Sequence, residues 1–399
     1  MIHPKKLLLT SLCFLFFGNS HAQLTHLNYD HLVQVKEAIN QSSETYLPAY
    51  LNLLTQADVA MQNGPYAVTY KKRVAISGDK HDYLSLAPYW WPDPTKKEGL
   101  PWIRKDGIVN PMTRGENVDR SAAYKFFSEL KLLSLAFFFS DKSKYASKIN
   151  QLLKVWFLDK NTRMNPHLKY AQGIPGKNVG RGFGIIEFSG VQHVITALEI
   201  LQLKAAIPQQ DIKELRAWLS EYLIWLQESE FGIFAKTRSN NHGSLYDVQV
   251  VSILLFLNQE ENAKTILNSV FKQRITPQIN ADGSQPHELK RTKSLTYSIL
   301  NLTALVKLAF MGNKVGVNIA EKASIDGDLQ KAFNFLSPYL DKNHLWPYQQ
   351  IGNYEDAISR LSKMFVYSGS LLMNKSHCEI MLSQENLTDI DRLLYPCIR

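Results

Sequence analysis

Two polar motifs in the sequence contain residue types that can hold a carboxylate and move a proton beside it. The first, SNNHGSLYD, runs from Ser239 to Asp247 and directly precedes an apolar helical run. Asn240, Asn241 and His242 therefore fall at or just before a helix N-terminus, where backbone N–H groups and the helix dipole favour an anion. Amide donors beside a histidine suit a bound carboxylate, although Asn240 or Asn241 could equally be an ordinary helix cap.

The second motif, from Gln285 to Leu305, is a polar lead-in followed by a helix with an apolar stripe. Tyr297 lies on a different face of that helix from the stripe. Arg291 precedes Tyr297 by six positions. On a continuous helix, at about 100° per residue, its side chain would lie about 240° around the axis from that of Tyr297. The two side chains can therefore cooperate only if Arg291 reaches in from the turn before the helix. Taken singly, Tyr297 could be a core aromatic residue and Arg291 a surface charge.

A third segment, YWWPDP from Tyr89 to Pro94, offers a surface for sugar rings. Exposed tryptophans such as Trp90 and Trp91 can stack on sugars, and Arg104 close behind can pair with a carboxylate in a fork geometry. The same tryptophans could instead pack their loop onto the rest of the protein.

Helical periodicity dominates the elements that must position these motifs. Apolar residues recur at helical spacing, alternating strand patterns are scarce, and Asp119 and Asp211 occupy positions typical of helix N-caps. The predicted helical segments run approximately over 32–61, 121–139, 145–156, 191–206, 212–226, 244–257, 263–272, 295–310, 329–340 and 354–372. Two long loops, 77–117 and 162–190, interrupt them and are rich in aromatic residues, which argues for a functional site rather than disorder.

The fold class that these features predict is all-α. Paired helices with long loops suit an (α/α)n toroid, an incomplete α/α barrel of six or seven helix pairs whose inner and outer helices alternate around a central cleft. The loops would then line the cleft at one rim. Because no linker or low-complexity tract divides the chain, residues 23–399 are expected to form a single domain.

The N-terminal segment has the layout of a secretory signal peptide over residues 1–22. Lys5 and Lys6 precede an apolar run that is too short to span a bilayer, and a small-residue cleavage site follows it. We therefore expect an exported protein, periplasmic or secreted, with no later membrane segment. Cys378 and Cys397 could form one disulfide near the C-terminus. The net charge of +9 suits an acidic partner.

The four motifs in order, YWWPDP, NPHLKYAQGIPGKNVGRGFGIIEF, NNHGS and ELKRTKSLTYSILNL, resemble the alginate-lyase-like superfamily. The likeness covers roughly 83–309 and is greatest to polysaccharide lyase family 38, with a more distant likeness to the family 5 alginate lyases. It implies an α/α toroid that cleaves uronic-acid polymers by β-elimination. Matched residue by residue, it assigns catalytic roles to Asn241, His242, Arg291 and Tyr297.

This chemistry also suits the residues themselves. In β-elimination the C5 proton is removed while the C4 oxygen departs, so donors such as Asn241, Arg291 or His242 must first neutralise the carboxylate. In mannuronate or glucuronate the two groups share a face of the ring, and Tyr297 could be base and then acid. In guluronate they lie on opposite faces, and His242 would be the base. Tyr297 needs nearby cations, with Lys293 a further candidate, to act as a phenolate.

Other polar and aromatic residues of the loops and the C-terminal region are predicted to complete the binding subsites. They are Gln172, Asn178, Arg181, Glu187, Trp346 and Gln349. The scheme requires neither a metal nor another cofactor, and the 11 histidines show no common metal-ligand spacing.

The predicted function is a lyase that prefers mannuronate-rich alginate and leaves 4,5-unsaturated uronate ends. A glucuronan lyase, a toroidal glycoside hydrolase and a non-catalytic periplasmic glycan-binding protein are the alternatives. The expected partner is an acidic polysaccharide, not nucleic acid or a membrane, and we expect a monomer.

Overall fold

A computed structural model describes residues 24–320, 328–341, 343–382 and 388–395. The predicted signal peptide over 1–22 lies outside the described residues. Cys378 is disulfide-bonded, whereas Cys397 also lies outside them. The pairing of these two cysteines therefore stays a prediction.

Helices make up most of the described chain, and the prediction of an all-α toroid is confirmed. The helices of its first part are α1 Tyr29–Asn40, α2 Leu47–Ala60, α3 Arg120–Ser140, α4 Ser143–Leu153, α5 Val191–Leu203, α6 Gln209–Glu228 and α7 Glu230–Lys236. Those of its second part are α8 Asn241–Phe256, α9 Glu260–Val270, α10 Thr276–Gln278, α11 Pro286–Leu289, α12 Ser294–Lys314, α13 Asp328–Leu336, α14 Tyr354–Leu371, α15 Lys375–Leu382 and α16 Asp389–Leu394.

The inner helices α3, α5, α8, α12 and α14 pack against one another in that order. Nearly every residue of α8 is buried, including polar ones such as Ser244 and Gln249, because a helix surrounded by other helices has no solvent-facing side. The outer helices α4 and α9 are more amphipathic and cover this inner layer. One continuous apolar core results, and it holds the inner helices rigidly in register.

Two details of the helix prediction are wrong. The periodic segment 32–61 is two helices, because the chain turns at Ser42, whose φ is 59°. Asp211 is the third residue of α6, and Pro208 occupies the N-cap position. Asp119 does occupy the N-cap position of α3, as predicted, although its carboxylate accepts from the Leu84 N–H and pairs with Lys71 instead of bonding to the helix N-terminus.

The two long loops are ordered by short strands and by a small apolar core of their own. The strands are β1 Leu84–Leu86, β2 Trp90–Trp91, β3 Ile103–Arg104 and β4 Tyr170–Gly173. β1 pairs with β4 in parallel and β2 pairs with β3 antiparallel, so the first loop is tied both to itself and to the second loop. Trp102 is buried in the small core. A 3₁₀ helix, Gly182–Phe188, leads from the second loop into α5.

Two helical stretches, Gly182–Leu203 and Ser294–Lys314, are long and apolar enough to cross a membrane. The expectation that no later segment has this character is therefore too strict. Within these stretches, 61% and 72% of the most apolar window is buried inside the protein, as in core helices. The first stretch comprises the 3₁₀ helix Gly182–Phe188 and the inner helix α5, and the second is the inner helix α12. Their apolar surface is used in packing.

Candidate active site

Tyr297 lies in the first turn of α12, and its hydroxyl has two close partners. The Tyr89 hydroxyl oxygen is 2.7 Å away, and Arg291 Nη2 donates to the Tyr297 oxygen at 3.2 Å. The guanidinium of Arg291 also covers the tyrosine ring, 4.1 Å from its centroid. Arg291 stands in the short turn between α11 and α12, so it reaches the tyrosine from before the helix, as predicted.

Asp106, in the first long loop, fixes the position of Arg291. Its carboxylate accepts from Arg291 Nε at 3.2 Å and Nη2 at 2.9 Å, and also from the Thr292 hydroxyl at 3.0 Å. Arg104 donates to the same carboxylate at 2.6 Å. Burial alone would raise the pKa of Asp106, but the hydrogen bonds and charge of Arg291 hold that pKa well below its usual range. Asp106 is therefore an anion at neutral pH.

His242 is neutral in this environment. It stands in the first turn of α8, half-buried, with its ring edge-to-face against Phe183 at 4.8 Å between centroids. Burial lowers the pKa of His242 to about 3, and three nearby arginines act in the same direction. They are Arg291, Arg181 and Arg238. A neutral imidazole can accept a proton, whereas it cannot neutralise a carboxylate by charge.

Asn240 and Asn241 have separate tasks at the start of α8. Asn240 is the N-cap, since its side-chain oxygen accepts from the His242 N–H at 3.2 Å. Asn241 is fully buried, and both its backbone N–H and its side-chain amide donate to Glu288 at 2.7 Å. Burial raises the pKa of Glu288 to about 7 despite these hydrogen bonds. The pair ties α8 to α11, so His242 and Arg291 are positioned together.

Tyr297 is protonated in the protein without substrate. Burial raises its pKa well above the ordinary value for tyrosine, and the neighbouring Tyr89 adds to the increase. Arg291 opposes this shift but does not overcome it. From the sequence we expected nearby cations to lower the pKa of Tyr297. Arg291 does lower it, but the effect of desolvation is larger and the pKa is raised overall.

Further arginines surround this centre and give it a surplus of positive charge. Arg181 donates to Gln172 at 2.8 Å and lies over the Phe183 ring at 4.9 Å. Burial and then the charge of Arg104 lower the pKa of Arg181 to about 10, so it stays a cation at neutral pH. Its buried Nε, like that of Arg238, has no hydrogen-bond partner among the described residues.

Comparisons with known proteins agree with this arrangement. The alginate lyase family model matches residues 67–346, which include every residue of the centre. The chain belongs to the alginate lyase family. It is thus a polysaccharide lyase, and its substrates are alginate-like acidic polysaccharides.

Among solved structures, the chain is similar to an alginate lyase from Bacteroides ovatus. The two share 35% sequence identity with a TM-score of 0.89, and the match covers 94% of this chain and all of the other. No curated protein matches the chain.

In this member of the family, several predicted binding residues lie beside the centre. Trp90 and Trp91 are half-exposed on β2, with Lys177 4.4 Å from the Trp90 ring centroid and Lys105 5.1 Å from that of Trp91. Gln172 is buried, and its contact with Arg181 makes it a support for that arginine. The structure therefore brings a cationic and aromatic surface to the same rim as Tyr297.

Other predicted binding residues have structural contacts. Glu187 is buried and accepts hydrogen bonds from Tyr83, Ser85 and Arg120. The Asn178 side chain accepts from the Ile174 N–H and closes a turn.

The two C-terminal binding candidates meet the start of α12. Trp346 is buried and donates to the Ser294 hydroxyl at 2.8 Å, and the backbone carbonyl of Gln349 accepts from that hydroxyl at 2.7 Å. Lys293 pairs through its backbone with Gln350. These contacts hold the C-terminal segment against the helix that presents Tyr297, and direct substrate contact stays a prediction for all three residues.

Three residues of the centre are absent from the sequence-based prediction. Tyr89 belongs to the YWWPDP segment, where its neighbours Trp90 and Trp91 gave the stronger signal. Glu288 stands in the ELKR motif, only three positions before Arg291. Its closeness to Arg291 in the sequence could have indicated that it belongs to the centre. Asp106 is 185 positions from Arg291, and nothing in the local sequence indicates the pairing.

Proposed function

We propose that the protein cleaves alginate by β-elimination, prefers mannuronate-rich chains and leaves 4,5-unsaturated uronate ends. The observation that carries the proposal is the Tyr297 hydroxyl, which faces two potential donors, Arg291 and Tyr89, at the centre of an arginine-rich rim. A hydroxyl with two such partners can hold a negative charge or direct its own proton into the cleft. Tyr297 is therefore the proposed catalytic residue.

For a mannuronate unit, a Tyr297 phenolate takes the C5 proton, the electrons form the C4–C5 double bond, and the C4–O bond breaks. The same hydroxyl then returns the proton to the departing oxygen, which regenerates the phenolate. Arg291 supports this cycle twice, since it stabilises the phenolate and neutralises the sugar carboxylate that makes C5 acidic. Glucuronan is the second candidate substrate, because its C5 proton and C4 oxygen also share a face of the ring.

For a guluronate unit, the neutral His242 would take the C5 proton and the protonated Tyr297 would give its proton to the departing oxygen. The low pKa of His242 and the high pKa of Tyr297 supply the required resting states. Substrate preference thus depends on which face of the bound ring meets Tyr297.

The remaining roles follow from the contacts. Asn241 is a positioning residue, because its amide is engaged with Glu288 and it is fully buried. Trp90, Trp91, Arg104 and Arg181 are the proposed subsite residues for neighbouring sugars and their carboxylates. Export to the periplasm or the medium is proposed because the N-terminal segment has the layout of a signal peptide. A monomeric state stays a prediction.

The test is the ultraviolet absorbance of the new double bond, followed with polymannuronate, polyguluronate and glucuronan. The proteins are the unaltered chain, Tyr297→Phe, and Tyr124→Phe as a matched control, since Tyr124 is 75% exposed on α3. We expect the fastest rise with polymannuronate, a loss of at least about a thousandfold in Tyr297→Phe, and no change in the control.

A rise with all proteins alike would show that Tyr297 is not the catalytic residue. Faster cleavage of polyguluronate or glucuronan would overturn the proposed preference. Release of reducing ends without the double-bond absorbance would point to a glycoside hydrolase, and saturable binding without products would point to a glycan-binding protein.

A further inference from the structure

A cavity of about 30 Å³ lies between the inner helices, away from the catalytic centre. Lys307 on α12 lines it, ten positions after Tyr297, which places the cavity about 15 Å further along that helix. Polar residues from six segments line it: His26, Lys131 and Ser134, Gln192, His193 and Thr196, Lys307, Tyr367, and Tyr395. Its volume suits one small ion or one or two water molecules, and it is much too small for a sugar.

The charge around this cavity is unbalanced. Among the described residues that line it, two are lysines, two are histidines and none is acidic. Burial lowers the pKa of Lys307 to about 8, and the nearby Lys131 adds to the effect, so Lys307 is still a cation at neutral pH. Its Nζ donates to the neutral Gln192, whose side-chain oxygen accepts at 2.7 Å, and lies 5.8 Å from the centroid of the Tyr367 ring. The Lys307 side chain is half-buried, and a cation withdrawn from water without a counter-charge is costly.

Asp391, the carboxylate that acts on Lys131, does not provide that counter-charge. Asp391 acts on Lys131 and raises its pKa against the larger effect of burial. However, Asp391 forms an ion pair with Lys363 at 3.2 Å and accepts from Thr388. Asp391 therefore faces two lysines, Lys131 and Lys363, and among the described residues no carboxylate forms an ion pair with Lys307.

His26 provides an independent sign of a missing ligand. It is 9% exposed and lines the same cavity, and its Nε2 atom has no hydrogen-bond partner among the described residues. Buried polar atoms are nearly always hydrogen-bonded, so an unpartnered nitrogen beside a cavity indicates a bound water or ion. The proton on Nε2 of a neutral His26 would be one further donor for a ligand in this cavity.

We propose that this cavity binds one small inorganic anion of the size of chloride. The anion would accept hydrogen bonds from Lys307, Lys131 and His26 and would balance the charge of the two lysines. It would thereby stabilise the packing of α3, α5 and α12 around the axis of the toroid. The site is separate from the arginine-rich rim and does not depend on the catalytic proposal.

The first test compares thermal unfolding in sodium chloride and in sodium gluconate at equal ionic strength, because gluconate cannot enter a cavity of this size. We expect the unfolding temperature to rise saturably with chloride alone, by about 3 °C at a hundredfold excess over the Kd. The rise should be lost in Lys307→Gln. It should persist in the matched control Lys264→Gln, where the lysine is paired with Glu260 and Glu261 on the outer helix α9.

The second test uses the unaltered protein and stays decisive if Lys307→Gln does not fold. Crystals grown in sodium bromide should give an anomalous peak between Lys307, Lys131 and His26. Equal unfolding temperatures in the two salts, or a chloride response that Lys307→Gln retains, would overturn the proposal. So would bromide peaks confined to the arginine-rich rim.

Discussion

Replacing Asp106 with Asn should loosen Arg291 and weaken both catalysis and folding. The carboxylate accepts two hydrogen bonds from the guanidinium, at 3.2 and 2.9 Å, and a third from the Thr292 hydroxyl. Asn has the same shape but only one acceptor oxygen, and its amide N–H groups would face other donors. The substitution thus removes the charge, and it also leaves at least one donor without a partner.

The magnitude follows from how far this pair is buried. The side chains of Arg291 and Asp106 are 19% and 20% exposed, so the ion pair is intermediate between a surface pair and a fully buried one. A surface pair contributes below about 1 kcal/mol, and a fully buried pair costs about 3–5 kcal/mol to break. We expect the free energy of unfolding to fall by about 2 kcal/mol at pH 7. We also expect kcat/KM to fall about 10- to 100-fold, since Arg291 is no longer fixed beside Tyr297.

The pH dependence of stability gives a second measure of the same pair. The folded-state pKa of Asp106 lies below that of the unfolded chain, so its contribution is complete above about pH 4 and is lost as the pH falls. The difference in unfolding free energy between the unaltered protein and Asp106→Asn should therefore shrink below about pH 4, by up to about 1.4 kcal/mol per pH unit.

Chemical unfolding at pH 7 and pH 3, together with initial rates on the preferred polymer, measures these effects. Asp356→Asn is the matched control, since it breaks an exposed ion pair with Arg360 and should cost below about 0.5 kcal/mol. An unchanged or increased kcat/KM in Asp106→Asn would refute the reasoning. It would mean that Asp106 competes with the substrate carboxylate for Arg291 rather than positioning the arginine.

Three further predictions concern the same centre. If Tyr297 is the base for mannuronate, kcat/KM on polymannuronate should rise about tenfold per pH unit between about pH 6 and 9, because its pKa lies above this range. On polyguluronate kcat/KM should be nearly independent of pH over the same range, since His242 stays neutral and Tyr297 stays protonated. If kcat/KM is independent of pH on both polymers, a Tyr297 phenolate is not the base. Glu288→Gln leaves a buried donor of Asn241 unpaired, so unfolding free energy should fall by about 1–3 kcal/mol in denaturant titrations, with kcat/KM reduced. Tyr89→Phe removes a neighbour that raises the pKa of Tyr297, so the pH profile on polymannuronate should shift to lower pH with little change in unfolding temperature, and an unchanged profile would contradict that role.

The sequence carried most of the information about helices and about the local approach of Arg291. Periodicity over 121–139 and 295–310 predicts α3 and α12 to within a few residues, because a buried helix needs apolar residues at regular spacing. The helical offset between Arg291 and Tyr297 predicts that the arginine stands before the helix, and it does. Helix bounds and the approach of Arg291 can both be inferred from the geometry of a single helix.

Contacts between distant segments were not predictable in the same way. The pairing of Asp106 with Arg291 depends on how a long loop folds over the rim, and no periodicity describes that path. The sequence also did not indicate that the Trp346 ring is buried against Tyr339 and Tyr348. An exposed and a buried tryptophan look identical in a loop sequence, because only tertiary packing decides between them.

The balance of charge at the rim explains why the site needs an acidic polymer. Arg104, Arg181, Arg238 and Arg291 converge there, and Asp106 is the carboxylate that pairs with two of them. Glu288 offsets little of this charge, because burial raises its pKa to about 7. The Nε atoms of Arg181 and Arg238 are buried without hydrogen-bond partners among the described residues. Carboxylates on successive sugars would supply acceptors for these atoms, and their binding would bring C5 to Tyr297. The surplus of donors and of positive charge should therefore favour binding of uronic-acid polymers over neutral glycans.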